Sequence, residues 1–301
     1  MIRRSLLLWG LLLFFPGLQW ADETPLNYTE EGEKACLDCH DTPAVTGILG
    51  GVHFVASDPR SAAPNQACEA CHGPALEHSQ FPLAISSMSF DGRSDRKVEA
   101  ESAVCLTCHQ RDHIHWESST HAAEDVGCAS CHSVHTPHDA VLDPLLEVET
   151  CEVCHLKEKI EVNKPYRHPV REGVVVCSSC HDPHGSAGHA ELVMPTTNET
   201  CFLCHAEKRG PFVNEHEPVV DDCSNCHTPH GSNHEALLSV RSPFLCQQCH
   251  ADHSHVMEAY DFEDLPGGSG SRQNRVIGQS CVNCHSEVHG SNTPGARSFR
   301  Q

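Results

Sequence analysis

The chain is short of most of what builds an ordinary globular core. Tryptophan and tyrosine occur three times each and phenylalanine ten times, so aromatics make up 5% of the 301 residues. Methionine occurs four times, and beyond the N-terminal segment only Met88, Met194 and Met257 remain, too few for a repeated iron ligand. Positive charge is scarce: 20 Lys and Arg face 41 Asp and Glu, a formal net charge of −21. That balance argues against a nucleic-acid partner. The lack of a polybasic patch argues against a lipid-surface binder. After the N-terminus no apolar run approaches the length of a membrane span. Spare cysteine is also missing, because every cysteine belongs to one motif.

That motif is Cys-x-x-Cys-His, and it occurs ten times. The ten are Cys36, Cys39 and His40; Cys68, Cys71 and His72; Cys105, Cys108 and His109; Cys128, Cys131 and His132; Cys151, Cys154 and His155; Cys177, Cys180 and His181; Cys201, Cys204 and His205; Cys223, Cys226 and His227; Cys246, Cys249 and His250; and Cys281, Cys284 and His285. Each is the attachment signature of a c-type haem. On one helical turn residues i, i+3 and i+4 share a face. Two thiols can then bond the haem vinyl groups while the histidine ligates iron. Zinc sites use Cys-x-x-Cys pairs but do not demand the adjacent histidine, and neither does a disulfide framework. The sequence therefore predicts ten covalently attached haem c groups.

Residues 1–21 read as a secretory signal peptide: Arg3 and Arg4 precede the apolar stretch Leu6 to Phe15, and cleavage is expected near Ala21. The remainder, 22–301, reads as one decahaem domain exported to the periplasm. With the signal removed, fewer than thirty residues remain per motif. That is too little polypeptide for a core around each haem. The expected fold is a multihaem cytochrome c, with short α-helices and irregular loops wrapping an elongated chain of ten haems and essentially no β-sheet.

The motifs fall into five doublets, beginning at Cys36, Cys105, Cys151, Cys201 and Cys246; from the second, the starts lie 46, 50 and 45 residues apart. A short helix is expected on the first motif of each doublet, with Asn198 and Ser242 as N-caps. Residues 81–100 and 257–279 read as loops or spacers. Each doublet also carries a lone histidine between its motifs and another just beyond the second. The first set is His53, His121, His168, His216 and one of His253 and His255, with His255 taken for the set. The second set is His78, His135, His184, His230 and His289. These ten are candidate sixth ligands for bis-histidine, low-potential irons. His113, His115, His138, His189 and His234 are then spare. His135 follows His132 by three residues and cannot reach the far face of the same iron. It is expected to serve the first haem of its own doublet, and the same reasoning applies to His184 and His230.

No motif has lost its histidine and candidate ligands outnumber irons, so no open iron for catalysis is apparent and no catalytic residue is assigned. The motifs, with strings such as Cys68-Glu-Ala-Cys-His-Gly-Pro, His115-Trp and Glu199-Thr-Cys-Phe-Leu-Cys-His-Ala-Glu-Lys-Arg-Gly-Pro-Phe, resemble the periplasmic decahaem c-type cytochromes of the MtrA/DmsE group. The resemblance covers nearly all of the chain after residue 21. It implies bis-histidine haems in a nearly linear chain, seated in a porin-like outer-membrane β-barrel. It also implies redox partners on both sides: an inner-membrane or periplasmic cytochrome, and an outer-surface multihaem cytochrome or reductase. A soluble periplasmic carrier feeding a terminal reductase is the alternative, and a multihaem enzyme the third reading.

Overall fold

The computed structural model describes residues 27–90, 98–111, 114–250 and 280–294. The signal segment and the expected spacer at 257–279 lie outside the described residues, as do His113, His253 and His255. The described residues form short α-helices of four to nine residues and 3₁₀ turns of three or four residues, joined by loops. Among them there is no sheet. Four isolated bridges, Tyr166 with Ser232, His181 with Leu192, Asn214 with Ser291 and His227 with Leu238, are the β-type pairings described. No described helix is long and apolar enough to cross a membrane.

The doublet is visible in the local structure. The first cysteine of each doublet lies on a short α-helix: Glu33–Leu37, Val98–Leu106, Pro144–Glu152, Thr197–Phe202 and Phe244–Gln247. In the last four doublets the second motif starts on a 3₁₀ turn: Cys128–Ser130, Cys177–Ser179, Cys223–Asn225 and Cys281–Asn283. The residue before each of those turns is extended, so the chain enters the motif abruptly. The first doublet differs, with its second motif on the α-helix Glu69–His72.

Two expected caps are corrected. Thr196, not Asn198, caps its helix, with the Thr196 hydroxyl accepting from the Glu199 N–H at 3.1 Å. Asn198 sits inside that helix and does something else. Its amide donates to the carbonyls of Val219 and Val220, and its oxygen accepts from the Cys223 N–H at 2.7 Å, which clamps the two motifs of the doublet together. Pro243 rather than Ser242 occupies the N-cap of Phe244–Gln247, because Ser242 lies one residue too early. The stretch 81–100 is also more than a spacer: the helix Val98–Leu106 begins within it, and Phe90 packs its ring against His72.

The apolar core is small. Among the described residues seven hydrophobic side chains are buried, and Val148, Val162 and Val170 form the central cluster. Large apolar residues such as Leu142, Val153, Ile160 and Val213 remain on the polypeptide surface. Side chains alone therefore bury too little to offset the ordering entropy of so much loop, and covalently bound porphyrin is the apolar material that this chain lacks.

Candidate haem-binding sites

All ten motifs adopt the same single turn. The N–H of each motif histidine donates to the carbonyl of the first cysteine, at 2.9 to 3.1 Å. This is the i to i−4 bond that puts both sulfurs and the imidazole on one face. No two of the twenty cysteines are joined in a disulfide.

The thiols also order the sites. Within each doublet the first cysteines of the two motifs are neighbours: Cys36 with Cys68, Cys105 with Cys128, Cys151 with Cys177, Cys201 with Cys223, and Cys246 with Cys281. Between doublets the second cysteines fall within electrostatic range: Cys71 with Cys108, Cys131 with Cys154, Cys180 with Cys204, and Cys226 with Cys249. Each motif thus neighbours the one before it and the one after it. Burial, reinforced by Cys68, raises the Cys36 thiol to about 12, and burial raises Cys201 to about 11. Glu147 lies close to Cys151 and Cys177. Its carboxylate is engaged by the N–H and hydroxyl of Ser178, at 2.7 and 2.9 Å, and so braces the doublet as Asn198 does.

The histidines come together in rings. Centroid separations are 6.2 Å for His40 with His78, 5.9 Å for His72 with His135, 6.0 Å for His53 with His109 and 5.9 Å for His132 with His184. They are 6.1 Å for His121 with His155, 6.0 Å for His181 with His230 and 6.4 Å for His168 with His205. His227 with His289 and His216 with His250 follow at 6.1 and 6.3 Å. An iron bonded to one nitrogen of each ring at about 2 Å, with ring centres about 1.1 Å further out, would set the centres about 6.2 Å apart. The residues therefore fit a group held between two imidazoles.

The partners are not those expected of the late histidines. His135, His184 and His230 do not meet the first motif of their own doublet. Each meets the second motif of the preceding doublet, at His72, His132 and His181, and His289 does the same at His227. The mid-repeat histidines run the other way. His53, His121, His168 and His216 meet the first motif of the next doublet. Neighbouring doublets thus exchange one histidine in each direction. In the first doublet His78 meets His40 of its own doublet.

The ring orientations are fixed from behind. His121, His168 and His216 donate from Nδ1 to the carbonyls of Pro183, Pro229 and Val288, at 2.9, 2.9 and 3.0 Å. Each acceptor immediately precedes the histidine returning from the next doublet. A carbonyl can only accept, so the proton sits on Nδ1 and Nε2 is left free for metal. Burial holds His53, His135, His230 and His289 below the ordinary histidine value, and neutral imidazole is the ligating form. Trp116, itself buried, packs on His184.

Some supporting residues leave no trace in the sequence. His181 and His227 donate to the carbonyls of Ala190 and Ala236, at 2.9 and 2.7 Å. Both alanines hold positive φ, of 51° and 54°, which costs about 1–3 kcal/mol each and marks a turn bent to aim its carbonyl. His189 and His234 stand beside these turns rather than in any described ring pair. His72 donates to the carbonyl of Met88 at 2.6 Å. A carbonyl acceptor has no residue type, so only the fold reveals it. Trp116 is the exception, being readable beside His115.

Comparison with known proteins agrees with this architecture. The model for the doubled CXXCH motif matches residues 168–210 and 216–255, and the model for cytochrome c-type protein NrfB-like matches 68–145. The multiheme cytochrome MtrA of Shewanella baltica is 42% identical over 276 residues, which is 90% of this chain and 82% of that protein. The chain belongs to the MtrA family of multihaem c-type cytochromes. The cytochrome c-type protein NrfB of Escherichia coli is 30% identical over 142 residues, covering 45% of this chain and 72% of that protein. Membership of the MtrA family makes this an electron-transfer protein that carries covalently bound c-type haems and acts as a carrier rather than a catalyst.

Proposed function

We propose that the ten motifs form one unbranched conduit. The chain would carry electrons between the periplasm and the outer face of the outer membrane while seated in a porin-like β-barrel. The observation that supports this reading is the order in which the cysteines neighbour one another. They link each motif to the next from Cys36 to Cys281 without a skip or a branch. Tunnelling falls exponentially with distance, so neighbouring sites in an unbroken order favour transport along the whole series. Bound haem supplies a reversible one-electron iron couple.

The chain's own residues do the remaining work. Twenty cysteines fix the sites, and the ten motif histidines hold one face of each iron. His53, His78, His121, His135, His168, His184, His216, His230, His289 and His255 hold the other. The chain carries a formal charge of −21, and hydrocarbon cannot solvate such a surface. A barrel with a polar lumen can. Its redox partners are a periplasmic or inner-membrane cytochrome on one side and an outer-surface multihaem cytochrome or reductase on the other.

The test is reconstitution into liposomes that contain a reducible dye, with reductant outside. Protein with its barrel should reduce the dye, and neither component alone should do so. Delivery of electrons to a periplasmic reductase without association with any barrel would replace the conduit by the soluble carrier.

A further inference from the structure

One motif histidine differs from three others in what stands behind it. His72, His181 and His227 each donate from Nδ1 to a backbone carbonyl. His132 instead bonds a carboxylate, with Nδ1 to Oδ2 of Asp139 at 2.6 Å. The other Asp139 oxygen accepts from the Ser133 N–H at 3.2 Å, which holds the carboxylate in place. The Asp139 side chain is 15% exposed, so water screens it little. Four other acids approach ring nitrogens without forming a bond to them. Glu158 is 4.0 Å from His155, Glu207 is 3.9 Å from His205, and Glu161 is 3.5 Å from His230. The ring opposite His132 belongs to His184, and Asp182 stands 3.6 Å from its Nδ1.

A carboxylate draws the Nδ1 proton more strongly than a carbonyl does. The imidazole gains anionic character, donates more to iron, and favours ferric over ferrous. We infer that Asp139 is a positioning residue that makes the iron at Cys128 and Cys131 the low-potential site among those whose Nδ1 acceptor is described. This rests on the reading that His132 and His184 ligate one iron. The step is a one-electron reduction of ferric to ferrous, with no bond made or broken, and dithionite supplies the electron in the test. A low-potential fourth site would set an uphill step between the third and fifth, in whichever direction current flows.

The experiment is a potentiometric titration of the holoprotein, with haem load and spin state measured alongside. Asp139→Asn leaves an amide oxygen to accept, as at the other sites. It should keep full haem load and low spin and raise the midpoint of one equivalent. The expected change is about tenfold or more in the ferric-to-ferrous ratio at fixed potential, or about 59 mV for one electron. Asp139→Glu should keep the original midpoint. Asp182→Asn removes the same charge without a ring hydrogen bond and should shift it less. An unchanged titration in Asp139→Asn, or a shift no larger than that of Asp182→Asn, would overturn the inference. So would loss of a haem in both Asp139→Asn and Asp139→Gln, which would make the carboxylate purely structural. His184→Ala reports on the ligand reading separately: one high-spin equivalent supports it whatever Asp139 does, and none removes it.

Discussion

The imidazole of His121 donates from Nδ1 to the carbonyl of Pro183, 2.9 Å away, and Pro183 immediately precedes His184. The ring of His121 meets His155 while that of His184 meets His132, so one hydrogen bond joins the two crossing segments. The same bond recurs from His168 to Pro229 and from His216 to Val288. It orients one ligand and anchors the base of the other, and it does so at each of these three junctions between doublets.

Cofactor load is the simplest outcome to check. Ten motifs use all twenty cysteines, so intact mass spectrometry should give the apoprotein plus ten haem masses. A load below nine would refute the count.

The crossing of ligands predicts where a lost histidine is felt. His184→Ala should open one iron, seen as one high-spin equivalent that binds carbon monoxide when reduced, whereas His189→Ala should open none. The opened iron should be the one at Cys128 and Cys131, because the His184 ring lies against His132. Removing that attachment site with Cys128→Ala and Cys131→Ala should abolish the carbon monoxide signal of His184→Ala. Persistence of the signal would reassign the ligand.

Close approach between repeats should make one glycine critical. Gly231 follows His230, holds a φ of +155°, and a Cβ there would run into the carbonyl oxygen of Glu161 in the preceding doublet. Gly231→Ala should cost about 1–3 kcal/mol through backbone strain and pull His230 away from His181. A lower melting temperature with a fractional high-spin signal is expected. A Gly231→Ala protein that melts and absorbs like the parent would show that the approach is slack.

Ring angles divide the sites into two spectroscopic classes. Near-parallel rings act on the same iron d orbital, and crossed rings act on two, leaving those orbitals close in energy and the ferric signal more anisotropic. His227/His289 at 11°, His132/His184 at 13° and His40/His78 at 25° belong to the first class. His121/His155 at 80°, His72/His135 at 65° and His53/His109 at 62° belong to the second. Paramagnetic resonance of the oxidised protein should show both signals in comparable amounts, and a single class would contradict these geometries.

Spacing along the chain dictates what is local. Cysteine, cysteine and histidine at i, i+3 and i+4 occupy one helical turn wherever they occur, so the number of sites, their chemistry and one ligand of each follow from spacing alone. The recurrence of further histidines at matching places was equally legible. Their destinations were not. The doublets are near-equivalent, and moving every partner by one repeat leaves the sequence pattern unchanged. That degeneracy is why the late histidines were expected at the first motif of their own doublet, whereas His135, His184 and His230 lie at the second motif of the one before. Only the packing of one repeat on the next decided it, through contacts such as Gly231 against Glu161 and His121 against the Pro183 carbonyl. The acceptors behind the rings were decided there too. A backbone carbonyl can be aimed only by the path of the chain, and an acid such as Asp139 becomes distinct from 40 others only when the fold sets it against His132.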